Sequence, residues 1–358
     1  MRIVQLIDSL ASGGAERMAV NYANALSKKI EFSGLIATRK EGRLKEQIHS
    51  GVDYIFLQKK RKLDFLAVFK LRKYLIKNRI EVIHAHSSSF FIAVIVKLTL
   101  PKIKIIWHNH YGKRANESFK ENKVLIFLSV FFSSILVVNL QLKDWSKKNM
   151  KCKNIIFIPN FASEHNISES LTTLKGVNNK RIVFLANLKD PKNHILILKV
   201  FLDLKLKEQN WSLHLIGKDY FDSYSDVLKD FIASNSLAEH IFLYGEQNDI
   251  KHILSQCSIG VLSSTEEGFP VTLLEYGLQG LAVVSTNKGY CPFVIKNEIS
   301  GLLFNPFSIN ETSEQMLRMI ENASLREKMG INLALFVLDK YSEDVIIKKL
   351  ISVYQLNY

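Results

Sequence analysis

The stretch of sequence that decides the fold, residues 267–275, reads Glu267-Gly268-Phe269-Pro270-Val271-Thr272-Leu273-Leu274-Glu275. Gly268 favours a turn and Pro270 suits a first helical position, so the backbone N–H groups of residues 271–273 are expected to lack helical partners. A helix start of this kind attracts phosphate. Glu267 and Glu275 then flank that start, as ribose and sugar hydroxyls flank the diphosphate of a nucleotide-sugar. A solvated acidic loop followed by a helix with one surface Glu is the alternative that the spacing leaves open.

Neighbouring residues carry a resemblance to a known family. They are the run Ser263-Ser264-Thr265-Glu266 before Glu267, the run Glu275-Tyr276-Gly277-Leu278-Gln279-Gly280, and the run Leu281-Ala282-Val283-Val284-Ser285-Thr286-Asn287. Together they closely resemble the donor-binding signature of family 4 of the retaining GT-B glycosyltransferases. One departure is the pair Leu281-Ala282, which stands where the family usually has a small residue and Pro.

The resemblance implies roles for these residues and a fold for the chain. It places Glu267 on the donor sugar or its departing phosphate and Glu275 on the ribose hydroxyls. It brings further residues into the nucleotide-sugar site: Gly268, Phe269, Pro270, Val271 and Thr272. The fold class implied is α/β of the GT-B type, in which two Rossmann-like doubly wound domains face a central cleft.

Length and composition agree with a globular enzyme of two domains. The chain has 358 residues, 47% of them hydrophobic and 23% charged, and that length exceeds what one core usually supports. The longest apolar segment, 124–138, is too short to cross a bilayer, and we interpret it as a buried helix running into a buried strand. The start at Met1 reads as a first strand and not a signal peptide. Three scattered cysteines without metal or disulfide spacing favour a reducing cytoplasm.

Charge is distributed unevenly along the chain. Residues 1–175 carry 30 Lys and Arg against 13 Asp and Glu, whereas residues 176–358 carry 18 against 21. Much of the excess lies in residues 59–77, where apolar residues recur at near-helical spacing among cations. The pattern predicts a basic amphipathic helix able to lie on an anionic membrane surface. A helix packed on a sheet, with a solvated basic face, explains the same pattern, and both can hold at once.

Short apolar runs alternate with helical patterns in both halves, which predicts parallel sheets covered by helices. We expect strands near residues 3–7, 32–37, 54–57, 82–85, 104–107, 135–138 and 155–158, and again near 182–186, 212–216, 241–244, 259–262, 282–285 and 301–304. The predicted domains are an acceptor-binding domain at 1–165, a linker at 166–180, a nucleotide-sugar domain at 181–340, and a C-terminal helix at 341–358 that crosses back to the first domain.

Candidate site residues of the first half follow predicted strands. Gly13-Gly14-Ala15-Glu16-Arg17 comes after the first strand, where the glycines allow close approach of a ligand or simply form a strand-to-helix turn. The run resembles the family's loop at this place, which implies that Gly13 and Gly14 touch the donor diphosphate and Arg17 the acceptor side. The resemblance also places His110 beside the reacting carbon of the donor sugar, with His108 second. His86 and His108 are the acceptor-side candidates.

A histidine pair such as 84 and 86 can in principle bind zinc, but we find no third ligand at a suitable spacing and expect no metal. The second half has Asn187 where the family has a diphosphate-binding Arg, while Lys192 matches the family's Lys and Lys189 is positioned to compensate. Gly245 ends a strand at which the family holds the nucleoside. Since no Asp-x-Asp pair occurs, Lys192 and the helix start would stabilise the leaving diphosphate, and no cofactor is expected.

The predicted activity is therefore metal-independent, retaining transfer of a sugar from a nucleotide-sugar, most simply a UDP-sugar, to a saccharide or lipid-linked acceptor. A cytoplasmic protein, peripheral at the inner face of the membrane and engaged in surface polysaccharide synthesis, fits the basic first half. A GDP- or ADP-sugar transferase, and a nucleotide-binding GT-B protein without transfer, remain alternatives. Nucleic-acid binding is not expected, because the cations lack interleaved aromatics or a recognisable module.

Overall fold

A computed structural model of the chain describes residues 1–11, 13–162 and 171–356. The chain divides into two compact units. Unit 1 comprises Met1–Ser163 and Glu343–Tyr358, and unit 2 comprises Glu164–Ser342. Each unit has its own parallel sheet covered by helices.

Unit 1 is built on a seven-stranded sheet. Its strands are β1 (Arg2–Ser9), β2 (Phe32–Lys40), β3 (Asp53–Phe56), β4 (Val82–His86), β5 (Lys104–Asn109), β6 (Ser134–Val137) and β7 (Ile155–Phe157). They lie in the order β3-β2-β1-β4-β5-β6-β7, and every neighbouring pair is parallel. The order reverses between β1 and β4, which is where doubly wound sheets bind ligands.

In the described part of unit 1, the strands are connected by the helices α1 (Gly14–Ser27), α2 (Phe65–Lys77), α3 (Phe90–Thr99), α4 (Phe119–Leu128) and α5 (Leu140–Asn149). Short 3-10 helices occur at Arg43–Gln47, Ser87–Ser89, Gly112–Asn116 and Ser129–Phe131. Local sequence explains where α2 begins, because the Asp64 side chain accepts a hydrogen bond from the backbone N–H of Ala67.

Unit 2 has a six-stranded sheet of the same type. Its strands are β8 (Arg181–Leu185), β9 (Ser212–Ile216), β10 (Ile241–Gly245), β11 (Ile259–Leu262), β12 (Ala282–Thr286) and β13 (Leu302–Phe304), in the order β10-β9-β8-β11-β12-β13. Its helices are α6 (His194–Asp203), α7 (Ser223–Ser234), α8 (Ile250–Ser255), α9 (Val271–Leu278), α10 (Cys291–Val294), α11 (Ile309–Glu321) and α12 (Ala323–Tyr341). Here the order reverses between β8 and β11.

The last helix, α13 (Glu343–Leu356), belongs to unit 1. Its buried side chains join a core cluster with Ile3 of β1 and Met18 and Tyr22 of α1. Tyr341, which the predicted tail included, instead packs in unit 2 against Phe269. Residues 357 and 358 of that predicted tail lie outside the described residues.

The prediction of two doubly wound parallel sheets is confirmed, and each of the thirteen predicted strands is present within a few residues of its expected place. Parallel strands buried on both faces read as continuous apolar runs, which is why the pattern identified them.

Two predictions about segments are wrong. Of the predicted linker at 166–180, residues 166–170 lie outside the described part, but the rest packs on unit 2. There the hydroxyl of Thr172 donates to Asp249 at 3.0 Å, and Leu174 is buried. The helix expected to be buried after Val124 is α4, and it leaves Val124 and Phe127 exposed. No helix in the described ranges is both long and apolar enough to span a bilayer.

Candidate functional site

The loop between β11 and α9 in unit 2 holds the first predicted acid beside a cation. One carboxylate oxygen of Glu267, Oε1, accepts from the Lys192 ammonium at 2.6 Å and from the Ser264 hydroxyl at 2.6 Å. The Glu267 side chain is 8% exposed and that of Lys192 is 24% exposed. The two charges are thus largely shielded from water, so the attraction between them is stronger than in an exposed ion pair.

Strand order explains why Lys192 and Glu267 meet. Lys192 follows β8 and Glu267 follows β11, and these strands are neighbours at the point where the order of the sheet reverses. Two further bonds tie the loops together: the Ser263 hydroxyl donates to the Asn193 carbonyl at 2.9 Å, and the Thr265 N–H donates to the Pro191 carbonyl at 2.9 Å.

The backbone of Glu267 is held from a third loop, which follows β12. The Tyr290 N–H donates to the Glu267 carbonyl at 3.2 Å. Gly289 lies in the left-handed region with φ +59°, and a Cβ at that position would overlap the Glu267 carbonyl oxygen. Only glycine therefore permits this approach, and the carboxylate of Glu267 is fixed at both its backbone and its side chain.

The start of α9 differs from the prediction. Pro270 is the N-cap residue and not the first helical residue. The Val271 N–H donates to the Phe269 carbonyl at 3.1 Å, and the Leu273 N–H donates to the Pro270 carbonyl at 3.1 Å. Two of the three backbone donors expected to be unpaired are therefore engaged by a tightened first turn.

Side chains of the same stretch divide between the interior and the surface. Phe269 and Pro270 are buried, and Phe269 stacks on Tyr290 at 5.1 Å between ring centroids. Thr272 donates its hydroxyl to the Leu185 carbonyl at 3.1 Å. Gly268, Val271 and Glu275 are partly exposed. The bend at Gly268 is therefore accessible from solvent, whereas the ring of Phe269 is buried in the core.

The loops after β8, β9 and β10 are tied to one another. The side-chain oxygen of Asn187 accepts from the Lys218 N–H at 3.0 Å, and the Gly217 N–H donates to the Gly245 carbonyl at 2.9 Å. Gly245 has φ +68° and open space where a Cβ would stand. Lys189 does lie in this region, with its ammonium 5.7 Å from the Tyr220 ring centroid.

In unit 1, the glycines before α1 behave differently from each other. Gly13 is the N-cap of α1, and a Cβ there would overlap the Glu16 carboxylate, whereas Gly14 faces open space. The Arg17 N–H donates to the Gly13 carbonyl at 2.9 Å. The N-terminus of α1 can therefore be approached closely at Gly14.

Four histidines at the ends of β4 and β5 form one stacked group: His84, His86, His108 and His110. The rings of His108 and His110 lie 4.0 Å apart between centroids, and His86 Nδ1 is 2.9 Å from His110 Nε2. Burial lowers the pKa of His84, His86 and His108 well below the usual value, and lowers that of His110 to about 3. His110 alone of the four is partly exposed. At neutral pH all four rings are uncharged.

Two family models match the chain. The model for Glycosyl transferases group 1 matches residues 169–334, and the model for Glycosyltransferase Family 4 matches residues 12–164. Between them they account for nearly all of the sequence. The chain is a family 4 glycosyltransferase.

Similar proteins agree with this membership. The capsular polysaccharide biosynthesis glycosyltransferase CapH of Staphylococcus aureus is 23% identical over 80% of this glycosyltransferase and 81% of its own length. The UDP-Gal:alpha-D-GlcNAc-diphosphoundecaprenol alpha-1,3-galactosyltransferase of Escherichia coli is 23% identical over 73% and 72%. The crystal structure of HepE from Anabaena in complex with UDP and glucose has a TM-score of 0.80 at 16% identity, covering 99% of this chain and all of that one. The last likeness supports the GT-B fold.

Some predicted site residues of the glycosyltransferase are not where a ligand can reach them. His86 and His108 were predicted on the acceptor side, but both rings are fully buried. His86 is bonded through both nitrogens, to Gln5 and His110. Phe269 is likewise a core residue. These residues share a strand face or a motif with exposed neighbours, and the motif alone does not say which of them point inward.

The reasoning that found no third zinc ligand was also wrong. Ligand atoms of His84, His86 and His108 all lie within 4.8 Å of one another. Their rings are nearly parallel, with interplanar angles of 12° to 29°. Their nitrogens are largely engaged by each other, by Tyr354 and by Gln5. In-plane lone pairs of near-parallel rings do not converge on one point, so this arrangement is a hydrogen-bonded stack.

Sequence reasoning missed three residues that the structure brings to these sites. Ser264 binds the Glu267 carboxylate, and Gln5 and Tyr354 bind the histidine stack. Ser264 was visible in the motif. Gln5 carried a weak signal, since it is a polar residue inside an otherwise apolar strand. Tyr354 carried none, because its contact depends on where α13 packs.

Proposed function

We propose that this glycosyltransferase transfers a sugar from a nucleotide-sugar, most simply a UDP-sugar, to a saccharide or lipid-linked acceptor, with retention of anomeric configuration and without a metal ion. The observation that carries the proposal is the fixed carboxylate of Glu267. It lies beside Lys192 and Ser264, at the start of a helix that also carries Glu275.

Each part of this arrangement suits one part of the donor. Lys192 and the N-terminus of α9 offer positive charge to a diphosphate. Glu275, partly exposed and four residues into α9, is suited to accept hydrogen bonds from ribose hydroxyls. Glu267 is suited to accept from hydroxyls of the sugar, since one of its oxygens is already held by Lys192 and Ser264 and its orientation is thereby set.

In the proposed reaction, the bond between the anomeric carbon and the diphosphate oxygen breaks, and a bond to the acceptor oxygen forms on the same face of the sugar. The acceptor's proton passes to the leaving phosphate. Lys192 stabilises the charge that develops on that phosphate, which makes a cation from solution unnecessary. We assign His110, whose ring is kept uncharged at neutral pH by burial, to the donor sugar, as the family resemblance implies.

The names of relatives support a place in the assembly of bacterial surface polysaccharide. CapH is a capsular polysaccharide enzyme, and the Escherichia coli relative acts on a diphosphoundecaprenol-linked sugar. We therefore extend the proposal to a lipid-linked acceptor at the cytoplasmic face of the membrane.

The test is release of free nucleotide from a panel of UDP-, GDP- and ADP-sugars in the presence of membrane extract. Glu267→Gln and Glu275→Gln should each lower the rate by at least tenfold, since each removes a charge from the proposed donor site. Glu266→Gln is the matched control, because Glu266 is the exposed acid directly before Glu267. Full activity in both variants would refute the assignment of these acids.

Other outcomes of that screen decide between the remaining functions. Turnover of a GDP- or ADP-sugar alone would replace the UDP assignment. Asn187, which stands where the family has a cation and is bonded to the Lys218 N–H, favours a second candidate: a protein that binds nucleotide without transfer. Binding of UDP with no turnover of any donor would support that candidate. Loss of turnover on chelation, restored by Mg²⁺, would refute metal independence.

We further propose that one face of unit 1 rests on an anionic bilayer. The α2–α4 face consists of exposed apolar and basic residues on α2 and around α4: Phe65, Leu66, Phe69, Lys70, Lys73, Ile76, Lys77, Phe119, Lys120, Lys123, Val124, Phe127 and Val130. Phe65 is 81% exposed and Phe127 is 64% exposed. Helix α3 packs against both α2 and α4, so the two lie on one side of the sheet.

Exposed aromatic rings interspersed with lysines are typical of interfacial helices, where rings enter the acyl boundary and lysines bind anionic headgroups. Each lysine near such a surface contributes about 1 kcal/mol. Vesicle sedimentation should show tighter binding to anionic than to neutral lipid. The Phe65→Ser/Phe69→Ser variant should weaken binding about tenfold or more.

Phe221→Ser is the matched control for this experiment, because Phe221 is 80% exposed but lies on unit 2. Equal binding of the native chain to both lipids would remove the electrostatic argument. Unchanged binding of the double variant would show that the α2–α4 face is not the contact.

A further inference from the structure

The histidine stack of unit 1 is bonded to residues from both ends of the chain. Gln5 lies on β1 and Tyr354 on α13, and both are fully buried against the stack. We propose that Gln5 is a positioning residue that fixes which ring nitrogen of His110 carries the proton, and that Tyr354 does the same for His108. The inference rests on the proposed function, which assigns His110 to the donor sugar.

The first branch runs from Gln5 to His110. The side-chain oxygen of Gln5 lies 2.9 Å from His86 Nε2 and can only accept, so His86 carries its proton on Nε2. His86 is neutral, which leaves its Nδ1 without a proton. That Nδ1 lies 2.9 Å from His110 Nε2 and must accept, so the proton of His110 is on Nε2.

The second branch runs from Gln5 through Tyr354 to His108. The Gln5 amide nitrogen donates to the Tyr354 hydroxyl at 3.4 Å, which turns the Tyr354 proton toward His84 Nδ1 at 2.7 Å. His84 then carries its proton on Nε2 and donates to His108 Nδ1 at 3.1 Å. The proton of His108 is left on Nε2.

A single amide therefore sets four tautomers without conflict, because its oxygen and nitrogen serve different branches. Register explains the geometry: Gln5 pairs with His84 across β1 and β4, and His86 pairs with His108 across β4 and β5. Since strand side chains alternate between faces, these residues share one face of the sheet.

The two branches end in atoms of opposite character. Within the described residues, His110 Nδ1 and His108 Nε2 are buried without a hydrogen-bond partner. By the assignment above, the first is a bare acceptor and the second is a donor. Both atoms are buried, so the assignment fixes the bonding inside the stack and, through the bond to His86, the orientation of the partly exposed His110 ring.

Burial keeps the network in this state, since desolvation lowers the pKa of each ring in the stack. An imidazolium would place protons on both nitrogens and break one of the acceptor roles. A proton on His86 Nδ1 would face the Nε2–H of His110 and break the bond that orients that ring.

The test is long-range proton–nitrogen correlation NMR of the full chain labelled with ¹⁵N histidine, recorded without substrate. We expect His84, His86, His108 and His110 each in the Nε2–H form. In Gln5→Met, the tautomers of His86 and His110 should become mixed, and so should those of His84 and His108, because the Tyr354 proton is no longer directed toward His84. In Tyr354→Phe, those of His84 and His108 should become mixed while His86 and His110 remain unchanged.

The matched control is Tyr22→Phe. The Tyr22 ring packs on His84, His86 and His108 at 5.6 to 6.1 Å between centroids, but its hydroxyl has no partner in the described part of the chain. This variant should leave every tautomer and the transfer rate as they are. Gln5→Met should lower kcat about five- to tenfold, as expected for the loss of one hydrogen bond that orients the His110 ring through His86.

A proton on Nδ1 of His110 in the unaltered protein would overturn the proposal, and that spectrum needs no variant to fold. Unchanged His110 tautomers in Gln5→Met would overturn it too. Failure of the proposed function can be told apart from failure of this inference. A protein that turns over no donor can still show the four expected tautomers in its spectrum.

Discussion

Lowering the pH from 7.5 to 5.5 should destabilise unit 1 by about 4 kcal/mol. The perturbation acts on His84, His86 and His108, which are fully buried and whose pKa is held well below the usual 6.5 by desolvation. In the unfolded chain these rings regain an ordinary pKa and bind protons at pH 5.5. The folded chain does not bind them.

The sign and size follow from this difference. Because the unfolded state binds more protons, stability rises with pH and is lost as the pH falls below about 6.5. Each ring accounts for about 1.4 kcal/mol between the two pH values, and these three fully buried rings together for about 4 kcal/mol. The partly exposed His110 ring, whose pKa burial also lowers, adds to this loss. Carboxylates contribute little in this window, because their ordinary pKa values lie near 4.

The assay is urea unfolding followed by tryptophan fluorescence in a Trp211→Phe background. Of the three tryptophans in the chain, Trp107 and Trp145 then remain, and both lie in unit 1. The control is His84→Gln, which removes one titrating ring. Between pH 7.5 and 5.5, the His84→Gln variant should lose about one third less unfolding free energy than the native chain loses. This comparison does not depend on the stability of the variant at pH 7.5. If unit 1 with all its histidines loses less than about 1 kcal/mol of unfolding free energy between pH 7.5 and 5.5, the reasoning is refuted.

Three more predictions concern unit 2. Gly289→Ala should destabilise the unit by more than 2 kcal/mol and abolish transfer, because the added methyl displaces the Glu267 carbonyl. Gly280→Ala has a similar φ of +67° with open space around it and should cost only about 1 kcal/mol, measured by urea unfolding with Trp211 of unit 2 as the fluorescent probe in a Trp107→Phe/Trp145→Phe background. Lys192→Met should raise the KM for the donor and lower kcat at least tenfold, and a donor titration with unchanged constants would contradict the assignment. Asn187→Leu should cost about 1 kcal/mol in thermal unfolding, since it removes the bond to the Lys218 N–H.

The fold was largely predictable from local pattern. Buried parallel strands such as β9 and β11 are short apolar runs between polar turns, and their predicted bounds agree with the structure to the residue. The start of α9 was less well predicted, because residue type did not show that Pro270 would be the N-cap or that the Val271 and Leu273 N–H groups would close a tightened first turn. The sequence pattern shows which residues are apolar, but only the packing of the chain shows which of them are buried. Val124 and Phe127 of α4 are apolar and were expected to be buried, yet both are exposed.

The amino-acid sequence by itself determined the two parallel sheets, the family and the motif around Glu267, because each of these depends on residues close together in the chain. Tertiary structure alone decided the contacts that define the sites. Lys192 meets Glu267 across 75 residues because β8 and β11 are adjacent, and Gln5 meets Tyr354 across 349 because α13 packs on unit 1. Such pairs leave no local signal, since nothing in the neighbourhood of either residue specifies which distant strand or helix the sheet will bring beside it.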